Sequence, residues 1–290
     1  MIKKILLIVA IIALFSGNAI AQNKLSTPES EVQAQKTNPP TLPAVVVTAT
    51  VPNQFDTVGE YNQPVWTTTR MFPSTRAYVM TPPGAVKYEK WFDFRDRKNG
   101  PTQIRMRDEF AFGLGNRLQL DLYNHTVYDG PSEDKTFAWR GFSWEIRYAL
   151  ADWGKIPGNP TLYFEHKLIN GVQGIEPKLL LSDRFGNSDW IWATNLVYEA
   201  NLAKTKETQE REYAVTASVG KIINNNLTVG ATSHYRYHNY EDHIKELYIG
   251  PNVNYRLGKN ARFSLEYMPR VSKEGKYDSR SFFIFAWDLQ

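Results

Sequence analysis

Arginines and carboxylates recur on one parity of short alternating segments. Over 103–114, Gln103, Arg105, Arg107 and Glu109 share one parity, and Ile104, Met106, Phe110, Phe112 and Leu114 share the other. Successive strand residues point to opposite faces, so the pattern describes one charged face and one apolar face. The same parity argument assigns Arg117, Asp121, Glu145, Arg147, Glu165, Lys167, Glu199, His234, Arg236, Arg256, Arg262 and Glu266 to the charged face. That chemistry is ionic. Both signs together fit a narrow polar pore for small polar or amphipathic solutes, or a salt-bridged filling that conducts nothing. Interior charge sets selectivity only where water passes. Asp108 falls on the apolar parity, and the pattern offers no account of it.

Catalytic and metal chemistry fare worse. His234 and His238 lie on one strand face, but four residues at about 3.3 Å each put them roughly 13 Å apart, too far to share an ion. Ser233 and His234 are neighbours, as are His125 and Thr126, and neighbours on a strand face opposite ways. No His-x-Ser pattern is present. The sequence therefore predicts no catalytic residue, no cofactor and no metal. Without cysteine there are no disulfides or thiolate sites. The pI is about 9.0. The basic residues are nevertheless interleaved with acids, with no basic block, which argues against nucleic acid.

The elements that must position these side chains are strands. From Gly84 onward about twelve are predicted, at 84–95, 103–114, 117–128, 137–150, 160–169, 176–185, 189–202, 211–222, 226–238, 245–257, 261–271 and 280–289. Tight Gly/Asn turns such as Gly115-Asn116, Gly186-Asn187-Ser188, Asn224-Asn225 and Gly258-Lys259-Asn260 alternate with longer loops at 96–102, 129–136, 170–175, 203–210, 239–244 and 272–279. Short turns at one end and longer loops at the other mark an outer-membrane barrel. A charge on its outer face at the bilayer midplane would cost about 2–4 kcal/mol for Lys or Arg, so the parity is strongly driven. Tyr128, Trp139, Trp153, Trp190, Tyr198 and Tyr248 are placed near strand ends, as interfacial girdles require.

Upstream, Lys3 and Lys4, the apolar run Ile5 to Phe15 and Ala19-Ile20-Ala21 form a signal peptide over 1–21, cut after Ala21. Loss of two lysines lowers the formal charge from +4 to +2. Residues 22–55 read as a disordered periplasmic linker. Residues 56–83, with Arg70-Met71-Phe72-Pro73-Ser74-Thr75-Arg76, read as an irregular segment at or in the periplasmic mouth. Within the linker, Val45-Val46-Val47-Thr48-Ala49-Thr50 resembles the N-terminal segment of TonB-dependent receptors. That resemblance implies strand addition to a periplasmic partner, although the chain is too short for the plug domain and large barrel of that family.

Three further segments carry a resemblance. They are Gly59-Glu60-Tyr61-Asn62-Gln63-Pro64-Val65-Trp66, Arg76-Ala77-Tyr78-Val79 with Pro82-Pro83-Gly84, and Asp152-Trp153-Gly154-Lys155-Ile156-Pro157-Gly158-Asn159-Pro160. They look like those of uncharacterised bacterial outer-membrane barrels. In broad design the chain is similar to porin-like channels, including those linked to aromatic-compound catabolism. The resemblance implies an outer-membrane barrel and no catalytic residues. The expectation is an all-β chain: a single antiparallel up-and-down transmembrane β-barrel of about twelve strands over 84–290, with a polar interior, in a Gram-negative outer membrane. Its expected partners are outer-membrane lipid and the barrel-assembly machinery, with no nucleic acid. The oligomeric state is left open.

Overall fold

The computed structural model describes residues 52–79, 81–129, 137–202, 210–239 and 243–289. The signal at 1–21, the Val45–Thr50 segment, most of the 22–55 linker, most of the 129–136 and 203–210 loops and half of the 239–244 loop lie outside the described residues.

A two-residue ladder, β1 (Thr57–Val58) with β2 (Gln63–Pro64), precedes the barrel. Twelve strands follow: β3 (Val86–Arg97), β4 (Gln103–Gly115), β5 (Leu118–Tyr128), β6 (Phe137–Ala149), β7 (Thr161–Ile169), β8 (Val172–Arg184), β9 (Trp190–Asn201), β10 (Arg211–Ile222), β11 (Leu227–His238), β12 (Lys245–Arg256), β13 (Ala261–Pro269) and β14 (Tyr277–Asp288). Each pairs antiparallel with the next, and β14 closes the ring on β3. Closure leaves no unpaired edge, which is the condition for strands to cross a bilayer.

The pleat sorts the side chains as the alternation requires. Phe110, Leu122, Phe142, Leu162, Leu196 and Ile249 stand exposed on the outer face. Glu109, Asp121, Glu145 and Arg147 are buried inside. A water-soluble domain has the opposite arrangement, and this one suits a lipid surround. Among the described residues no helix is long and apolar enough to cross a membrane.

Two local differences from the sequence expectation, and one residue that the pattern left unexplained, have clear causes. The 170–175 loop is absent. Asn170 and Gly171 make a two-residue turn with φ of +54° and +75°, and β8 starts at Val172. Positive φ at both turn positions is the hairpin geometry that Asn-Gly supplies. Asp108 does face outward, where it binds Lys90 Nζ at 2.8 Å and Tyr88 Oη at 2.7 Å on the adjacent strand. The cross-strand cation neutralises it. Finally, two of the proposed girdle aromatics point elsewhere. Trp153 packs edge-on against Trp66 and Tyr78 in the turn-end connection between β6 and β7. Tyr248 shares the inward parity of Glu246 and is fully buried with Trp91 and Met268. Trp139 and Trp190 are exposed on the outside as expected.

Candidate functional site

The short connections, the start of β3 and the end of β14 share one end of the barrel, the turn end. Here the chain upstream of β3 folds back into the lumen. Gly113 makes room for it: a Cβ on this residue would sit 1.9 Å from the Pro82 carbonyl oxygen. Backbone bonds from Gly84 N to Gly113 O (2.9 Å) and from Gly113 N to Ala85 O (3.1 Å) fix the junction. Thr81 N donates to Gln119 Oε1 at 2.9 Å.

The inserted segment is held by apolar packing and by charge. Trp66, Met71, Phe72 and Ala77 pack on Ile191, Ala193 and Ile222 of the wall. Gln54 Nε2 donates to Asn225 O (2.7 Å), Trp153 N to Tyr61 O (2.8 Å) and Tyr78 Oη to Ala151 O (2.6 Å). Asn195 receives Arg76 N and donates to Arg76 O, both at 2.7 Å, mimicking a strand partner. Arg70 binds Glu89 at 2.6 Å and Glu109 at 3.1 Å. Arg76 binds Glu109 at 3.3 Å, Glu145 at 3.6 Å and the Tyr123 hydroxyl at 2.6 Å. Wall Arg147 pairs with Asp121 at 2.8 Å and with Glu145. Arg70 and Arg76 thus bring two positive charges to a wall region rich in carboxylates. Buried charges are tolerable when paired and hydrogen-bonded in this manner.

Beyond this plug the lumen opens into a vestibule of about 540 Å3 whose lining runs from Ser74 and Arg76 to Lys276. Of the residues the sequence nominated, Arg105, Arg107, Glu165, Lys167, Glu199, His234 and Arg236 line it. Glu109, Asp121, Glu145 and Arg147 instead meet the plug region. Arg256 and Arg262 face each other across β12–β13 near the turn end, and Arg262 Nη1 approaches Met71 Sδ at 3.7 Å. Glu266 is fully buried and faces Asn252. Arg117 leaves the lumen set. The Gly115-Asn116-Arg117 turn takes it out of the ladder with φ +61°, and it binds Asp152 at 3.1 Å.

The vestibule walls are unlike. On one side Lys167 bridges Glu176 and Glu199, Lys178 also binds Glu176, and Arg236 bridges Glu212 and Glu246. His238 sits 3.4 Å from both Glu212 and Glu246, and His234 Nδ1 accepts from Arg280 at 3.2 Å. On the other side Arg95 and Arg280 share Asp93, at 2.6 and 3.2 Å. Near the rim, hydrogen bonding by Gln103 and the charge of Arg97 hold the Asp129 carboxyl below the usual carboxylate range.

A hydroxyl–imidazole contact that sequence adjacency did not reveal joins strands β5 and β6. His125 Nε2 lies 2.8 Å from Ser143 Oγ, and Ser143 donates its one proton to Glu165 at 2.7 Å. The hydroxyl oxygen is left to accept from His125. This polarity is the reverse of an activated nucleophile, in which the imidazole takes the hydroxyl proton. Sequence reasoning also missed Arg70 and Arg76 as functional groups. The visible signal was two arginines inside an aromatic segment too apolar for a linker.

No family model matches the chain, and no curated protein matches it. Solved structures do. The fold, a closed antiparallel barrel, is one that solved outer-membrane channels share. The COG4313 outer membrane channel from Pseudomonas putida F1 aligns with a TM-score of 0.51 at 11% identity, over 73% of this chain and 98% of that one. The NanC porin aligns at 0.49 and 12%, over 71% and 100%. The KdgM porin aligns at 0.47 and 10%, over 70% and 99%.

Proposed function

We propose that the protein is an outer-membrane channel for small polar or amphipathic solutes, held shut at its turn end by residues 53–79. The observation that carries this reading is the division of the lumen. A solute-sized charged vestibule of about 540 Å3 occupies one part, and a separately anchored peptide fills the other. A barrel needing only a solid core would have no use for the vestibule, and a simple pore would have no use for the peptide. In this proposal residues 1–21 direct export and are cut after Ala21, and the barrel sits in a Gram-negative outer membrane with its turn end in the periplasm. Outer-membrane lipid and the barrel-assembly machinery are its general partners. Val45–Thr50 lies just upstream of the plug and would add a strand to a periplasmic protein. The proposal includes no enzymatic step, consistent with the Ser143 geometry above.

The second reading is a non-conducting binding barrel, favoured by the dense pairing of Arg70, Arg76 and Arg147 with wall carboxylates. Planar-bilayer conductance separates the two. The channel reading expects rare openings of the full-length protein and steady openings after deletion of residues 22–80. Silence from both, with folded barrels, rejects it and leaves the binding reading.

A further inference from the structure

The two vestibule walls differ in how fully their charges are compensated. Three adjacent strands, β14, β3 and β4, carry Arg280, Arg95, Arg105 and Arg107 on their inner faces. Arg280 lies directly opposite Arg95 in the ladder, Arg105 opposite Asp93, and Arg107 opposite Trp91. Side chains at such positions are within mutual reach. Among the described residues only Asp93 stands among the four guanidiniums, and it is shared by Arg95 and Arg280. Among the described residues Arg105 and Arg107 have no carboxylate partner. Arg105 donates to the neutral Gln103 side chain at 2.9 Å. Arg107 lies over the Trp91 ring at 4.2 Å from its centroid. The Nε of Arg280 is buried without an acceptor. All four arginines face the cavity.

The opposite wall does not supply the missing charge. Glu176, Glu199 and Glu212 stand on β8, β9 and β10, the strands diametrically across the ring from β14, β3 and β4. Their carboxylates are already taken up by Lys167, Lys178 and Arg236 of their own side. A folded barrel that keeps an uncompensated cluster of like charges on one wall of a solute-sized cavity has a place for an opposite charge.

We infer that this wall is a binding site for a small solute bearing an oxyanion, a carboxylate or a phosphate. Arg105 and Arg107 are its principal donors, and Arg95 and Arg280 complete it. Guanidinium offers two parallel N–H donors that match either oxyanion. The cation–π contact with Trp91 holds Arg107 in place without consuming a carboxylate partner. Neutral solutes gain nothing at this wall, and cations are repelled by it. Binding is defined on the vestibule alone, so the inference stands whether or not the barrel conducts.

Isothermal titration of the full-length refolded protein in neutral detergent tests it, with citrate, inorganic phosphate and choline as probes at low ionic strength. Saturable binding of citrate or phosphate, with none of choline, is the expected result. Binding of citrate alone assigns the carboxylate, binding of phosphate alone assigns the phosphate, and binding of both assigns the shared oxyanion. R105Q and R107Q should each weaken binding about tenfold or more, the loss of one charge-assisted hydrogen-bonding group. K155Q, on an exposed turn-end connection, should leave it unchanged. Without ligand R105Q should unfold at a higher temperature than wild type, because it removes a like charge and breaks no ion pair. A residue needed only for structure would shift that temperature down. No heat with either anion, binding unaltered in R105Q and R107Q, or a lower unfolding temperature for R105Q in the absence of anion, would each overturn the inference.

Discussion

Glu109→Ala is the most direct probe of the plug. Glu109 is fully buried and holds Arg70 at 3.1 Å and Arg76 at 3.3 Å. Removing one partner of a buried ion pair costs about 3–5 kcal/mol, because the other charge stays desolvated. Here both arginines keep other partners, Glu89 for Arg70 and Tyr123 with Glu145 for Arg76. The low end, about 3 kcal/mol, is therefore appropriate. The loss falls on the docked state. With the segment withdrawn, Glu109 would face water beside Glu89 and the nearby Glu145, and its removal there relieves repulsion. The docked-to-withdrawn ratio should fall by roughly two orders of magnitude, at tenfold per 1.4 kcal/mol. Limited proteolysis in detergent reads this as faster cleavage within residues 53–79 while the barrel stays intact. Bilayer recordings read it as a rise in open time. Lys155→Ala, on the exposed turn-end connection, is the control. Cleavage and open time within about threefold of wild type, in a folded E109A barrel, would refute the claim that this carboxylate holds the plug, given the free energy at stake.

Gly113→Val places carbon where the Pro82 carbonyl passes, 1.9 Å from the Cβ position. It should expose residues 53–79 to protease without abolishing the heat-modifiable barrel, and continued protection would contradict the close approach. On the outer face, D108L leaves Lys90 unpaired toward lipid at a cost of about 2–4 kcal/mol near the midplane. The K90L/D108L pair should recover most of that loss in urea unfolding from vesicles, and a double variant no more stable than D108L would remove the pair from the account. Ser143→Ala strips Glu165 of a hydroxyl donor and His125 of its acceptor, and should destabilise by about 1–3 kcal/mol. Neither S143A nor wild type should hydrolyse a nitrophenyl ester in a colorimetric assay, and turnover that S143A abolishes would reverse the assigned polarity.

The barrel was legible because period 2 and turn chemistry agree along its whole length. Strands β10 at 211–222 and β6 from 137 follow from alternation alone, since a slip of one residue would place Arg147 in lipid and Tyr148 in the lumen. The Asn170-Gly171 hairpin was missed because Gly174 and Pro177 resemble loop punctuation. In β8 both are accommodated within the ladder, opposite Lys167 and Phe164. The pairing of charges was less legible than their facing. Parity puts Glu109 and Arg105 on one inner face but cannot say that Arg70 and Arg76, 39 and 33 positions upstream of Glu109, reach back to meet it. His125 and Ser143 show the same limit. They are eighteen residues apart in sequence, and their contact depends on the β5–β6 register and on an irregularity between His125 and Thr126. Arg117 failed for a simpler reason: the alternation runs unbroken through a residue that the turn has already claimed.

The charges of this chain make sense only when divided by depth. In the turn-end part, the wall contributes Glu89, Glu109, Asp121 and Glu145 with one arginine, Arg147, and the plug returns Arg70 and Arg76, so that each carboxylate has a guanidinium partner. That region is self-satisfying only with the segment in place, so acid groups would be left facing water on its withdrawal. Their hydration would offset part of the lost pairing, since carboxylates are well solvated in a wet lumen. The apolar contacts of Trp66 and Phe72 have no such compensation and resist withdrawal. Electrostatics therefore makes the plug specific to this wall and sensitive to single charges, while the aromatic packing keeps it seated. In the vestibule the imbalance has the opposite sign, with arginine in excess on one wall. An anion held there by Arg105 and Arg107 would lie next to Arg76 at the top of the plug, and would compete with Glu109 and Glu145 for that guanidinium. Occupancy of the vestibule and the seating of the plug would then be linked through one residue, and by reciprocity an undocked plug would alter anion affinity by the same factor.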